Sequence, residues 1–246
     1  MDVLQAGMKT LGDMIHGKGL KYGLYSDRGF RTCQGFPGLL DNEALDAKTM
    51  AGFGIDFFKN DGCYTTSPAD EGDGGVSGNG MPDPSAFPHY SKMHAALAAT
   101  GRAIVHNVKG VPGGGCAASA GRAVSNMRRC GGDIGDAFGS AVGEFMTCAE
   151  TGDPNAGPGF WNDPDSLEVG NGKQSKAEYM AHFSMWCVGK HPLILGLALG
   201  DPTKAPSCTD CSSPEDVLEI LRNRDLIAIN QVRSVLAIVR IMVLAS

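Results

Sequence analysis

Apolar positions along the chain follow two rhythms that take turns. Over residues 6–16, helical spacing sets Met8, Leu11, Met14 and Ile15 on one face, and Gly17 and Gly19 end the helix. LKYGLYSD comes next, apolar at its start and closing on Ser26 and Asp27, the profile of a strand. LDAKTMAGFG then reads as a helix and IDFFKND as the following strand. Residues 65–88, rich in Gly, Pro, Asp and Ser and without period, fit a long surface loop. The rhythm resumes with a helix over 90–100 and a strand RAIVHN. Strand ends lie in AVSNMRRCGGDIGD and GPGFWNDPDSLEVGN, a further apolar strand in HPLILGLAL, a helix over 214–222 and a last short strand in LIAIN. Seven strand candidates alternating with helices predict repeated βα units, hence an α/β fold of the TIM (β/α)8 barrel type. Such a barrel needs eight strands and this sequence opens on a helix, so its first strand and the loop after it are expected to be absent.

Composition narrows the function classes. The 246 residues, 42% hydrophobic and 20% charged, have the makeup of one globular domain of barrel size. A net charge of -6 offers no field for phosphate backbones, which argues against nucleic acid as a partner. The longest apolar run, over 235–245, is interrupted by Arg240 and falls short of the ~20 residues that a membrane span needs. The start, with an acid at Asp2 and helical spacing, lacks the basic opening of a signal peptide. Eight cysteines lean toward an oxidising compartment. The lone C-x-x-C, Cys208 to Cys211, is read as a local disulfide or free thiols rather than zinc, and no Asn-x-Ser/Thr sequon occurs.

Candidate chemistry lies at the strand ends. Asp61 in FFKND either accepts a structural hydrogen bond or attacks a substrate held above a barrel. Lys59, on the same side by alternation, either forms a plain salt bridge or holds Asp61 ionised and donates to a substrate hydroxyl. In RRCGGDIGD, Asp133 follows Arg129 by four residues, with Asp136 as a competing acid. WNDPDSLEVGN adds Asp163, Asp165 and Glu168, with Pro164 fixing the turn between the aspartates. Acids converging from different strand ends suit glycoside hydrolysis. No G-x-S-x-G, P-loop, dinucleotide-binding or H-E-x-x-H pattern occurs, and His16, His106 and His191 are read as structural.

GLKYGLYSDRGFRTCQGFPG, GIDFFKNDGCY, RCGGDIGD and GPGFWNDPDSLEVGN, in this order, resemble glycoside hydrolase family 27, the α-galactosidases and α-N-acetylgalactosaminidases. The resemblance implies a (β/α)8 barrel over 1–232 and retaining double displacement on a terminal α-linked galactose-type sugar, without metal or cofactor. By motif match Asp61 stands for the nucleophile and Asp133 for the acid/base. Tyr25, Cys33, Lys59, Arg129 and Asp165 stand for sugar contacts, and Cys33 and Cys63 for the pair that the family bridges. Galactoside oligosaccharides or glycoconjugates would be the substrates, the chain a homodimer, and its setting secreted or lysosomal/vacuolar.

Three departures accompany the match. The family's first strand carries an Asp-Asp pair that is not found here. Where the family has Cys-Glu-Trp or Cys-Ser-Trp, this chain has Val108, Lys109 and Gly110, which opens the sugar specificity; the family's second disulfide cannot form in its usual way, and Cys116 with Cys130 is one conceivable substitute, the partners of Cys116, Cys130, Cys148 and Cys187 being left open by the sequence. Residues 233–246 form an apolar tail in place of the family's β-sandwich. Three alternatives follow: a non-catalytic or weakly active carbohydrate-binding relative, a β-L-arabinopyranosidase or an α-N-acetylgalactosaminidase.

Overall fold

The computed structural model describes residues 7–64, 86–109, 118–198 and 205–232. The chain divides into two compact units, Met1–Arg129 and Cys130–Ser246. The first alternates helix and strand as the periodicity predicts: α1 (Met8–Gly17), β1 (Gly23–Asp27), α2 (Glu43–Phe53), β2 (Phe57–Asp61), α3 (Ala86–Ala99), β3 (Val105–Lys109), α4 (Ala118–Val124) and β4 (Met127–Arg129). All three pairings, β1 with β2, β2 with β3 and β3 with β4, are parallel. Parallel neighbours need a crossover, and the helices supply it. Of the loop expected over 65–88, residues 65–85 lie outside the described residues and the last three open α3.

Tyr22, Leu39, Ala47, Met50, Ile55, Phe58, Met93 and Leu97 form the main core of this unit. Only part of the expected α1 face joins it. Leu11 and Ile15 pack there, whereas Met8 and Met14 are 37% and 45% exposed. At the amino ends of the strands, Asp56 ties the elements together. Its carboxylate takes the Tyr22 N–H at 3.0 Å, pairs with His16 at 2.8 Å and Arg102 at 2.8 Å, and lies 3.6 Å from Lys21. Arg102 also donates to the carbonyls of Ile55 and Gly54, at 2.6 and 2.8 Å. Burial works against the Asp56 charge, but the Tyr22 N–H, His16, Lys21 and Arg102 outweigh it and hold the carboxyl at about 2.

The second unit contains α5 (Phe138–Thr151), β5 (Trp161–Asp163), α6 (Lys176–Val188), α7 (Pro214–Leu221) and α8 (Arg224–Gln231). Leu167, Val169, Tyr179, Phe183, Trp186, Val217 and Ile220 pack its core. Ser175 and Glu178 cap α6 reciprocally, and at the start of α7 the Asp216 carboxylate accepts the Ser212 and Ser213 N–H groups. Two strand candidates are corrected here. LIAIN belongs to α8, because the Asn223 side chain accepts the N–H groups of Asp225 and Leu226 and starts a helix there. Among the described residues HPLILGLAL makes only a single bridge, Leu195 with Leu167. Residues 233–246 lie outside the described residues.

Asp56→Ala is expected to lower the unfolding free energy by about 2 kcal/mol, because it leaves the Tyr22 N–H without its acceptor and Arg102 without its counter-charge. The folded-state carboxyl is depressed, so its contribution is complete above the ordinary carboxylate value of 3.8 and fades as the pH falls through about 2. Urea unfolding at pH 6 and at pH 2.5 reads both: the gap between variant and wild type should narrow in acid.

Candidate active site

In-register pairing and the two-residue period of a strand decide where the charged residues go. Tyr25 pairs with Lys59, Asp27 with Asp61, Lys59 with Asn107, and Lys109 with Arg129. One face of four strands therefore carries Tyr25, Asp27, Lys59, Asp61, Asn107, Lys109 and Arg129. The other carries Phe58, Asn60, His106 and Val108, where Phe58 enters the core and Asn60 meets His106 at 3.2 Å. Asp27, Asp61, Lys109 and Arg129 each end their strand.

Asp61 is buried. Its Oδ2 accepts the Tyr25 hydroxyl at 3.0 Å, and Oδ1 accepts the Gly62 N–H at 3.0 Å. Lys109 Nζ stands 3.8 Å from Oδ1, and each of these two side chains is only 9% exposed. The Tyr90 hydroxyl on α3 donates to the Asp61 main-chain carbonyl at 3.1 Å, and its ring lies 5.3 Å from the Arg28 guanidinium. Burial alone would raise the Asp61 carboxyl. Lys59, Lys109, Arg129 and the Gly62 N–H reverse that and hold it below the usual carboxylate range. Burial, followed by the charges of Asp61 and Asp27, drives the Tyr25 phenol strongly upward, so it stays a donor.

Asp27 pairs with Asp61 across β1 and β2, and the motif match did not single it out. Its place in LYSD, two residues after Tyr25 and so on the same side of the strand, was the available signal. It is wholly buried and accepts the Gly29 N–H at 2.9 Å and the Cys63 N–H at 2.7 Å. Burial lifts its carboxyl to about 7 against those two hydrogen bonds, with the Asp61 charge adding to the rise. Cys33 and Cys63 form the disulfide that the resemblance implied. Gly29 permits the close approach of the two loops, since a Cβ there would meet the Cys63 carbonyl oxygen at 2.1 Å. Ligand atoms of Asp27, Cys33, Asp61 and Cys63 lie within 4.8 Å of one another. With the sulfurs bonded to each other, no thiolate is left there to bind a metal. The same holds for Cys208 and Cys211, which form a local disulfide.

The remaining candidates lie in the second unit. Asp133 is exposed on the loop after Cys130. The glycine before this loop's tip reflects close packing: a Cβ on Gly131 would overlap the Glu144 carboxylate of α5. Next to Asp133, the Ile134 N–H donates to Asp165 Oδ2 at 3.1 Å. Asp165 sits in the left-handed region at φ 82°. It is held there by its own N–H on Asp163 Oδ1 at 2.9 Å and by the Trp186 indole N–H on its carbonyl at 3.0 Å. Asp136, the competing acid, is structural: Tyr179, Gln174 and the Lys173 N–H donate to it at 2.8, 3.0 and 2.8 Å. The partner of Cys130, which the sequence left open with Cys116 as one substitute, is a different cysteine. Cys130 is bonded to Cys148, which the last turns of α5 bring to a Cα separation of 5.0 Å, while Cys116 lies outside the described residues. Cys187 is a buried free thiol, pushed by burial to about 11 and so inert.

Charged side chains gathered at the carboxyl ends of parallel strands are the arrangement of α/β-barrel catalysts. A family model described as alpha galactosidase A matches residues 2–232. The chain is 38% identical over 230 residues to an alpha-galactosidase of Oryza sativa subsp. japonica, covering 92% of this chain and 48% of the relative. Alpha-galactosidase 2 of Arabidopsis thaliana is 39% identical over 230 residues, 92% of this chain and 50% of the relative. The structure of the Saccharomyces cerevisiae α-galactosidase with raffinose superposes with a TM-score of 0.74 at 28% identity, covering 93% of this chain and 50% of that one. The chain belongs to the α-galactosidase family, glycoside hydrolase family 27, and has its α/β-barrel fold class. It spans about half the length of the curated relatives it matches.

Asp27 gives a pH signature. Its carboxyl is raised from 3.8 to about 7 in the folded chain, so between those values the native state binds more protons than the unfolded one. Stability from this group therefore falls as the pH rises through that window. Asp27→Asn should flatten the fall, read as a smaller difference between urea midpoints at pH 4.5 and pH 7.5; an unchanged difference would contradict the assignment.

Proposed function

We propose that this chain supplies the catalytic face of a retaining α-galactosidase-type glycoside hydrolase, with Asp61 as nucleophile and Asp133 as acid/base. The observation that carries the reading is the environment of Asp61, a buried carboxylate kept ionised by surrounding cations at the end of a parallel strand. In the first step an Asp61 oxygen attacks the anomeric carbon. The bond to the aglycone breaks with its electron pair moving to the leaving oxygen, which takes the Asp133 proton. In the second step water attacks the same carbon, gives a proton to the Asp133 carboxylate and returns the electron pair to Asp61. Tyr25, Lys59 and Arg129 are the proposed contacts for sugar hydroxyls, and Asp165 is a further one by motif match.

The separation of Asp27 from Asp61 invites a different pairing of acids, since retaining enzymes hold their carboxyl groups about 5–5.5 Å apart. Its burial argues otherwise. Both Asp27 oxygens are taken by backbone N–H groups, and no surface of the side chain is open to a leaving oxygen. Galactoside oligosaccharides are the proposed substrates, supported by the raffinose complex of the S. cerevisiae relative. Lys109, where the motif has an acid, keeps β-L-arabinopyranoside and α-N-acetylgalactosaminide as rival glycones. Three disulfides among the described residues support an oxidising setting, secreted or vacuolar.

Asp61→Asn tests the reading directly. With chromogenic α-galactoside, α-N-acetylgalactosaminide and β-L-arabinopyranoside, one substrate should be turned over by the wild-type chain, and the variant should lose at least about 1,000-fold with an unchanged melting transition. Comparable rates in variant and wild type would remove Asp61 from the mechanism.

A further inference from the structure

Lys109 is one of the cations around Asp61 but has no step of its own in the reaction above. It ends β3, and one step beyond the pairing of Asn60 with Val108 sets it across from Asp61. Its ammonium is 3.8 Å from Asp61 Oδ1, with both side chains withdrawn from water. At that depth the attraction is little screened by solvent or salt. The two Asp61 oxygens are thus differently dressed: Oδ2 carries the Tyr25 hydroxyl, and Oδ1 carries Lys109 and the Gly62 N–H.

We propose that Lys109 is a positioning residue that acts through Asp61, holding it as a carboxylate before attack and making it a better leaving group afterwards. The inference rests on Asp61 being the nucleophile. Attack turns the carboxylate into a neutral ester, and the Lys109 ammonium then loses its counter-charge inside the protein. Hydrolysis restores the pair as the bond between the anomeric carbon and the Asp61 oxygen breaks and its electrons return to the carboxylate. A cation that stabilises the carboxylate but not the ester therefore favours the second step over the first. It trades some nucleophilicity for faster release.

The other charged and titratable groups facing Asp61 are Tyr25 and Asp27 from β1, Lys59 from β2 and Arg129 from β4. The cations among them share the task of keeping Asp61 ionised, so removal of Lys109 moves its titration without abolishing the charge. Lys109→Met keeps the length and apolar stem while removing the charge. The Asp61 carboxyl is followed by 13C NMR, assigned through Asp61→Asn, in wild type, Lys109→Met and Lys109→Arg. Lys109→Met should raise the Asp61 midpoint by about 1 pH unit or more, and Lys109→Arg should stay near wild type. With an activated aryl galactoside, Lys109→Met should accumulate glycosyl-enzyme, seen as a larger burst before the steady state. A midpoint unmoved in Lys109→Met, or an unchanged burst, overturns the inference. If Lys109→Met does not fold, Lys109→Gln, which keeps a polar end of similar reach, reads the same shift. A wild-type chain silent on every glycoside, or an active Asp61→Asn, overturns the nucleophile assignment instead. The NMR titration still decides whether Lys109 governs the charge at position 61.

Discussion

Parallel, in-register pairing of β1 to β4 is the constraint on which the site depends. Side chains alternate between the two faces of a strand, so a register fixed at one residue pair commits every other residue to a side. The pairing of Asp27 with Asp61 and of Lys109 with Arg129 places seven polar residues on one face. The apolar and hydrogen-bonded residues Phe58, Asn60, His106 and Val108 take the other. A slip of one residue in β2 would bury Lys59 and Asp61 among helices and expose Phe58. The core of the first unit and the chemistry of its strand ends are thus two readings of the same register.

The two ends of the strands carry different kinds of charge. At the amino ends, Asp56 is met by His16, Lys21 and Arg102 in a network that ties a helix to the approaches of three strands, and its charge is stabilised. At the carboxyl ends the acids and cations are nearly dry and pull against each other. Asp61 is held ionised by its neighbours, while Asp27, in the next strand and coupled to it, is pushed toward neutrality. Two carboxyl groups so close together and so differently poised mark a place where stability yields to function.

Much of this was legible in the sequence, and the misses have physical causes. The strand ends could be read because their polar residues interrupt apolar runs at places that topology makes useful, as in FFKND and GFWND. LIAIN misled because β-branched and apolar residues fill both strands and the buried faces of helices; the Asn223 and Asp225 signals of a cap settle it as α8. The helix α6 carried its own start signal, Ser175 with Glu178 three residues on. Asp27 could not be read as a buried acceptor of the Gly29 and Cys63 N–H groups, because that depends on where a second strand's loop arrives. For the same reason spacing did not reveal that Cys130 is joined to Cys148.

The hold on the backbone at position 61 has a consequence of its own. Tyr90 grips the Asp61 carbonyl from α3, and the Asp61 N–H and its neighbours belong to the strand ladder, so the main chain does not rely on the carboxylate to stay in place. Cutting the side chain back to Ala would leave a small anion-sized hollow flanked by Lys109 and the Tyr25 hydroxyl, groups that had faced a negative charge. Azide or formate would find there the counter-charge and hydrogen bond that the missing carboxylate once used. With Asp61 in the proposed role of nucleophile, position 61 is thereby suited to chemical rescue, in which an added anion takes the part of the deleted carboxylate and leaves its own mark on the stereochemistry of the product.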